Sequence, residues 1–251
     1  MFLAADRDRK ESSMMSEHTA RAFDVDLQEI ARKVTEMGGL AEKEIGDAVD
    51  ALAKRDTALA QRVMAVDLTT DQLQREIEEK AILTIARRQP MAVDLRDIVA
   101  ALRLANDLER IGDLAKNIAK RVVALNGDFP PQKLIRGVEH LAELVLEQLK
   151  DVLDAYAQRD LDKAIVVWRG DDKIDAMYTS VFRELLTYMM EDPRNITFCT
   201  HLLFCAKNIE RMGDHATNIA ETVYYVVEGR ALTDERPKGD TTNIAPVPMR
   251  M

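Results

Sequence analysis

A stretch of fifteen residues occurs twice in this chain. Residues 105–119 read ANDLERIGDLAKNIA, and residues 206–220 read AKNIERMGDHATNIA. Both copies keep Glu-Arg-x-Gly-Asp, with an asparagine four residues after the aspartate. A packed helix needs apolar residues at regular steps, but packing does not require the same polar residues at fixed positions. The repeat therefore indicates two similar structural units that carry the same chemistry.

The repeat extends beyond this stretch. Arg55-Asp56 corresponds to Arg159-Asp160, and Pro90 corresponds to Pro193. Aromatic residues make up only 5% of the chain and charged residues 31%, a composition that favours long amphipathic helices. We predict an all-α protein of six long helices, which form two homologous three-helix bundles over residues 18–128 and 129–230.

The ends of the chain differ from this helical region. Residues 1–17 are polar and aperiodic, which predicts a disordered lead and leaves Met15 as an alternative start to Met1. Residues 231–251 contain three prolines and are predicted to form a flexible tail. Gly38-Gly39 is the weakest point of the first predicted helix, because each glycine costs ~1 kcal/mol relative to alanine.

Charge and cysteine content narrow the class of protein. The net charge of −9 argues against nucleic-acid binding, which needs clustered lysine and arginine. No apolar run approaches the ~18–20 residues that cross a bilayer, so membrane insertion is not expected. Cys199 and Cys205 lack zinc-site spacing and are typical of buried thiols in a reducing compartment. We expect a cytoplasmic protein.

Acidic residues recur in pairs four residues apart, and such pairs share one face of a helix. If Pro90 marks a helical hairpin, Asp71 lies 19 residues before it and Glu109 lies 19 after it. The acids around Pro193 are 17 to 22 residues from that turn. At ~1.5 Å per residue, each hairpin therefore brings four carboxylates to one level. The four pairs are Asp67/Asp71, Glu109/Asp113, Asp171/Asp175 and Glu210/Asp214.

Four neighbouring carboxylates repel one another unless they are solvated, protonated or bridged by cations. Glu109 and Glu210 share helix faces with apolar residues, so both are expected beside a buried seam. Hard cations such as Mg²⁺, Mn²⁺, Ca²⁺ or iron suit oxygen donors, whereas zinc sites usually include histidine or cysteine. We predict that the eight acids are metal ligands. The alternative is that they form solvated helix faces.

Other features of the sequence suggest no catalytic chemistry. No phosphate-binding loop or paired nucleophile and base is present, so we do not expect an enzyme. A ferritin-like di-metal enzyme would use Glu-x-x-His steps, and none of the four histidines has a glutamate three residues before it. Besides this enzyme, a metal-independent helical adaptor is the other alternative function.

His215 occurs in only one copy and is interpreted as incidental. Gly112 and Gly213 are expected to allow close helix packing.

Three segments resemble the PhoU family of bacterial phosphate-signalling regulators. They are QPMAVDLR at 89–96, NDLERIGD at 106–113 and AFDVDL at 22–27. The resemblance covers roughly residues 18–230. It implies a cytoplasmic, non-enzymatic protein, often a homodimer, that restrains the phosphate-starvation response when phosphate is plentiful.

The resemblance also implies partners and a metal. Members of the family act between the phosphate ABC transporter, through its ATPase subunit, and the sensor histidine kinase of a two-component system. Some members hold multinuclear metal clusters on acidic E/DxxxD motifs. The four acidic pairs of this chain match those motifs, and all eight positions are acidic.

Overall fold

Seven α-helices make up nearly all of the described chain, which in this computed structural model comprises residues 2–125 and 132–234, with side chains from Phe23 onward. No β-strand occurs within those ranges. A 3-10 turn, Pro193–Asn195, precedes the last helix. The helices are α1 Phe2–Lys54, α2 Thr57–Arg88, α3 Val93–Leu125, α4 Gln132–Gln158, α5 Leu161–Arg169, α6 Asp171–Glu191 and α7 Ile196–Glu228.

The two Arg-Asp pairs end one helix and begin the next in the same way. Arg55 and Arg159 take left-handed φ angles of 60° and 53°, which stop α1 and α4. Asp56 and Asp160 then accept hydrogen bonds from the backbone N–H three residues later, at 2.8 and 3.0 Å. Because these bonds satisfy donors that a helix start leaves unpaired, they fix where α2 and α5 begin.

The two hairpin turns lie at the prolines that the sequence indicates, and a glycine ends the last helix. Gln89 is left-handed and its N–H donates to the carbonyl of Ile85, so α2 ends immediately before Pro90. Pro193 begins the 3-10 turn between α6 and α7, and Gly229 ends α7 with a φ of 74°.

Two features differ from the sequence-based expectation. The fifth of the six predicted helices is divided at Gly170, whose N–H donates to the carbonyls of both Val166 and Val167. Asp171 and Asp172 follow in the first turn of α6, where carboxylates interact favourably with the helix dipole. Helix α1 also extends back to Phe2, although residues 1–17 are predicted to be a disordered lead.

The N-terminal difference has a local explanation, because residues 2–17 contain no glycine or proline that would end a helix. Gly38-Gly39 likewise does not interrupt α1. Of the predicted flexible tail, residues 235–251 lie outside the described residues.

Helices α3 and α7 form the centre of the molecule. They run antiparallel, since the Arg103 guanidinium lies over the Tyr225 ring at 4.9 Å and that of Arg121 lies over Phe204 at 4.0 Å. Helices α1 and α2 pack on α3, while α4, α5 and α6 pack on α7. One continuous apolar cluster crosses both bundles. The two hairpin turns therefore lie at opposite ends of the central pair.

The contact between α1 and α4 predicts unequal effects of alanine substitution at two adjacent glycines. A Cβ at exposed Gly39 would meet no atom within 4 Å, whereas one at Gly38 would lie 2.9 Å from Leu153 Cδ1. Gly39→Ala should raise the free energy of unfolding by about 0.5–1 kcal/mol. Gly38→Ala should gain less, because Leu153 must move. Urea denaturation measures both, and an equal gain for the two variants would contradict this close approach.

Candidate functional site

The first hairpin brings its four predicted acids together, from α2 and α3. Asp67 is buried, with 2% of its surface exposed, and Asp71, Glu109 and Asp113 are half-buried. Burial raises the pKa of Glu109, and the negative charges of Asp113, Asp71 and Asp67 raise it further. Lys116 Nζ contacts both Asp67 of α2 and Asp113 of α3, so these two acids lie at one level, as their distances from Pro90 predict. We call these four residues the first acidic cluster.

The second acidic cluster consists of Asp171 and Asp175 from α6 with Glu210 and Asp214 from α7. Asp171, Asp175 and Glu210 are buried. Burial raises the pKa of Glu210, the Lys207 ammonium lowers it, and the charges of Asp214 and Asp175 raise it. Because Asp67, Asp171, Asp175 and Glu210 are buried, the solvated-face interpretation does not describe these four side chains.

Each acidic cluster contains a lysine that the sequence did not single out. Lys116 Nζ lies 2.5 Å from Asp67 Oδ2 and 3.6 Å from Asp113 Oδ1. In the second cluster, Lys207 Nζ lies 2.7 Å from Glu210 Oε1. The two lysines occupy different positions in the repeat, since Lys116 corresponds to a threonine in the second copy. Comparison of the copies therefore could not identify them.

In this arrangement the two lysine ammonium groups supply nearby positive charge, and so does the Arg110 guanidinium, which lies 3.5 Å from Glu109 Oε2 and 3.9 Å from Asp113 Oδ2. Among the residues that the structure describes, no three carboxylate, imidazole or thiolate groups converge as the ligands of one metal ion would. The donor chemistry nevertheless suits a hard cation, because Glu210 Oε2 is a buried carboxylate oxygen without a hydrogen-bond partner.

Helix α1 adds a fifth acid to the first cluster, Glu44, whose side chain is 2% exposed. Its Oε1 accepts a hydrogen bond from the Thr70 hydroxyl at 2.7 Å, while Oε2 has no partner. Burial raises the pKa of Glu44 to about 7, and the charges of Asp67 and Asp71 also raise it. Gly112 leaves room for this carboxyl, because a Cβ there would lie 2.6 Å from Oε2.

Gln148 of α4 occupies the equivalent position in the second cluster. Its Nε2 donates to Thr217 Oγ1 at 3.1 Å, and its Oε1 has no partner. A Cβ at Gly213 would lie 3.3 Å from that oxygen. Sequence reasoning missed Glu44 and Gln148, although each is a polar residue that interrupts the apolar stripe of a long helix.

A separate polar contact joins the two bundles. Asp107 of α3 lies 2.9 Å from His215 Nδ1 and accepts a hydrogen bond from Asn218 Nδ2 at 3.4 Å. His215, interpreted from the sequence as incidental, therefore contributes to the contact between α3 and α7.

None of the described helices contains a stretch long and apolar enough to span a bilayer.

Comparison with known proteins gives a consistent result. The PhoU domain model matches residues 34–122 and again residues 138–223. The chain is 60% identical to a phosphate-specific transport system accessory protein PhoU homolog of Rhizobium meliloti, over 92% of this chain and 97% of that protein. It is 54% identical to the protein of the same description from Caulobacter vibrioides, over 90% and 98% of the two chains.

Solved structures have the same fold. PhoU from Pseudomonas aeruginosa superposes with a TM-score of 0.78 at 41% identity, covering 83% of this chain and 100% of that one. The phosphate transport system regulatory protein PhoU from Streptococcus pneumoniae gives a TM-score of 0.77 at 28% identity, over 84% and 99%.

Burial of Glu44 predicts a pH effect on the stability of metal-free protein. Because its pKa rises from 4.5 to about 7 on folding, the native state loses stability as pH increases through this range. Glu44→Gln removes this ionisation, so at pH 8 the variant should be more stable than wild type by up to about 3 kcal/mol. At low pH the two should be similar.

Urea denaturation in EDTA at low pH and at pH 8 measures this difference. Glu36→Gln, an exposed position on the same helix, is the control and should change stability by less than about 0.5 kcal/mol at either pH. If the free energy of unfolding changes by the same amount between the two pH values in wild type and in Glu44→Gln, the ionisation of a buried Glu44 is contradicted.

Proposed function

The chain belongs to the PhoU family, and we propose that it regulates phosphate uptake and homeostasis from the cytoplasm and restrains the phosphate-starvation response. The observation that carries the proposal is the match of the PhoU domain model to both repeats. A role in the regulation of phosphate transport follows from membership of this family, since close relatives are accessory proteins of phosphate-specific transport systems.

In the proposed mechanism the protein acts by binding rather than by catalysis. It forms a homodimer and contacts both the ATPase subunit of the phosphate ABC transporter and the sensor histidine kinase of a two-component system. Long, continuously packed helices support this role, because a rigid helical surface can present side chains to two partners in a fixed arrangement.

A metal is the second part of the proposal. We propose that hard cations (Mg²⁺, Mn²⁺, Ca²⁺ or iron) bind to the two acidic clusters. The support is the placement of acids from two helices at one level, together with the unpartnered oxygen of Glu210. A bound cation would supply positive charge that offsets carboxylate repulsion and would hold α2 against α3 and α6 against α7.

A metal-independent adaptor is the alternative that a specific observation favours. Lys116 and Lys207 already contact Asp67 and Glu210, and a salt bridge of this kind reduces repulsion without an ion. In that case the acids would stabilise the hairpins only. The two versions of the function differ in whether an added cation stabilises the folded protein.

Metal binding predicts a thermal shift that depends on both clusters. Mn²⁺ added to EDTA-treated protein should raise the melting temperature, because a ligand of the native state at about one hundred times its Kd adds about 2.7 kcal/mol. Glu109→Ala combined with Glu210→Ala should abolish most of that shift. Glu36→Ala combined with Glu143→Ala, two exposed glutamates, is the control. If Mn²⁺ does not change the melting temperature of the wild-type protein, the metal-independent adaptor is favoured.

The regulatory role predicts a phenotype in cells. Cells that lack this chain should express phosphate-starvation genes in phosphate-rich medium, and the wild-type chain should restore repression. The wild-type chain expressed in these cells should also co-purify with the transporter ATPase subunit. Normal repression in the deleted strain would contradict the proposed function, whatever the result of the metal experiment.

A further inference from the structure

A cavity of about 480 Å³ lies between α3 and α7, near the end of α7. Val99 and Leu102 of α3 form an apolar wall, and the Tyr225 side chain of α7 forms part of the other wall. Ala231 and Leu232, which follow α7, line the same cavity. Its volume lies within the range of ligand-binding clefts, roughly 300–1,000 Å³.

Helix α7 ends in a way that keeps the chain beside this cavity. Gly229 has a left-handed φ of 74°, and its N–H donates to the Tyr225 carbonyl at 3.0 Å. Three residues later the Leu232 side chain packs against the apolar core. Because Leu232 also lines the cavity, the chain that continues from it starts at the cavity edge. Residues 235–251 follow and lie outside the described residues.

Polar groups in the cavity wall are suited to an extended peptide. The Arg103 guanidinium lies 4.9 Å over the Tyr225 ring and forms no ion pair with a described residue. Asn106 is exposed one turn further along α3. Both side chains can donate hydrogen bonds to backbone carbonyls. Asp107 and Glu221 add two carboxylates to the wall, so a positively charged group on the peptide would be attracted.

The sequence that follows the cavity edge contains one apolar run, residues 244–249, which read IAPVPM. Proline has a φ fixed near −65°, so Pro246 and Pro248 favour an extended polyproline II segment. Such a segment leaves its carbonyls without internal hydrogen bonds, and grooves lined by aromatic residues bind segments of this kind. Arg250 follows directly and supplies a positive charge. The run therefore matches the apolar wall, the donors and the carboxylates of the cavity.

The length of the chain permits this contact. Twelve residues lead from Leu232 to Ile244. An extended chain spans up to about 3.3–3.6 Å per residue, so this connection is long enough to return to the cavity that Leu232 lines. A short tether also keeps the segment at an effective concentration on the order of millimolar, so a weak interaction suffices.

We propose that residues 244–249 bind in the cavity between α3 and α7 of the same chain. The apolar side chains of the segment cover Leu102 and Tyr225, and its carbonyls accept hydrogen bonds from Arg103. Arg250 is attracted to the two carboxylates of the wall. A partner that uses this part of α3 and α7 must therefore displace the segment. This inference is independent of the proposed metal sites.

Disulfide trapping in the full chain tests this proposal. Val247→Cys is combined with Asn106→Cys, an exposed position in the cavity wall, and the matched control combines Val247→Cys with Glu36→Cys, an exposed position on α1. In a glutathione redox buffer the first pair should form a disulfide within one chain at least about tenfold more readily than the control, because binding raises the local thiol concentration. The native Cys199 and Cys205 are fully buried and can remain in place.

The control position is also within reach of the segment, because the preceding residue, Thr35, and Val226 of α7 line one cavity. Adding Ile244→Asp and Met249→Asp to the first pair should reduce its trapping to the control level, since carboxylates resist burial against an apolar wall. Equal trapping of the two pairs would contradict the proposal. Disulfides that join two chains instead of closing within one, as judged by mass under non-reducing conditions, would also contradict it.

Discussion

Repulsion between neighbouring carboxylates is the constraint on which this structure depends. Each hairpin holds acids of two helices at one level beside an apolar seam, where water can solvate them only in part. Such groups need a positive charge nearby. In the described structure Lys116 and Lys207 supply it, each with a contact of 2.5–2.7 Å to a buried carboxylate. A cation bound to either cluster would have to take over that role.

The sequence predicts much of the fold because local signals determine it. Asp56 and Asp160 cap helices, Pro90 and Pro193 mark the hairpin turns, and Gly229 ends α7. These effects involve neighbouring residues and are visible in a linear sequence. The division of the helix at Gly170 is not visible in the sequence. The equivalent position in the first copy is a valine, and the helix continues through it.

Part of the candidate site is also predictable from local signals in the sequence. Helical spacing and distance from the turns predict matching levels for the acids of each hairpin, and the shared contacts of Lys116 agree with this for Asp67 and Asp113. Lys116 reaches Asp67 through the packing of α3 against α2, and Glu44 and Gln148 join through the packing of α1 and α4 against the hairpins. Lys207 contacts Glu210 within one helix, three residues away, so helical spacing alone could have identified it. A buried polar residue on an apolar stripe is the signal that marks Glu44 and Gln148, and it becomes informative once the two copies are aligned at their capping aspartates.

A crystal of the protein soaked in Mn²⁺, measured with anomalous scattering at the manganese edge, tests the central claim most directly. We expect an anomalous peak between α2 and α3 and another between α6 and α7. Asp67 should then have left Lys116, and Glu210 should have left Lys207. A map without peaks at these places, in which both lysine contacts are intact, would contradict the proposal that the acidic clusters bind cations.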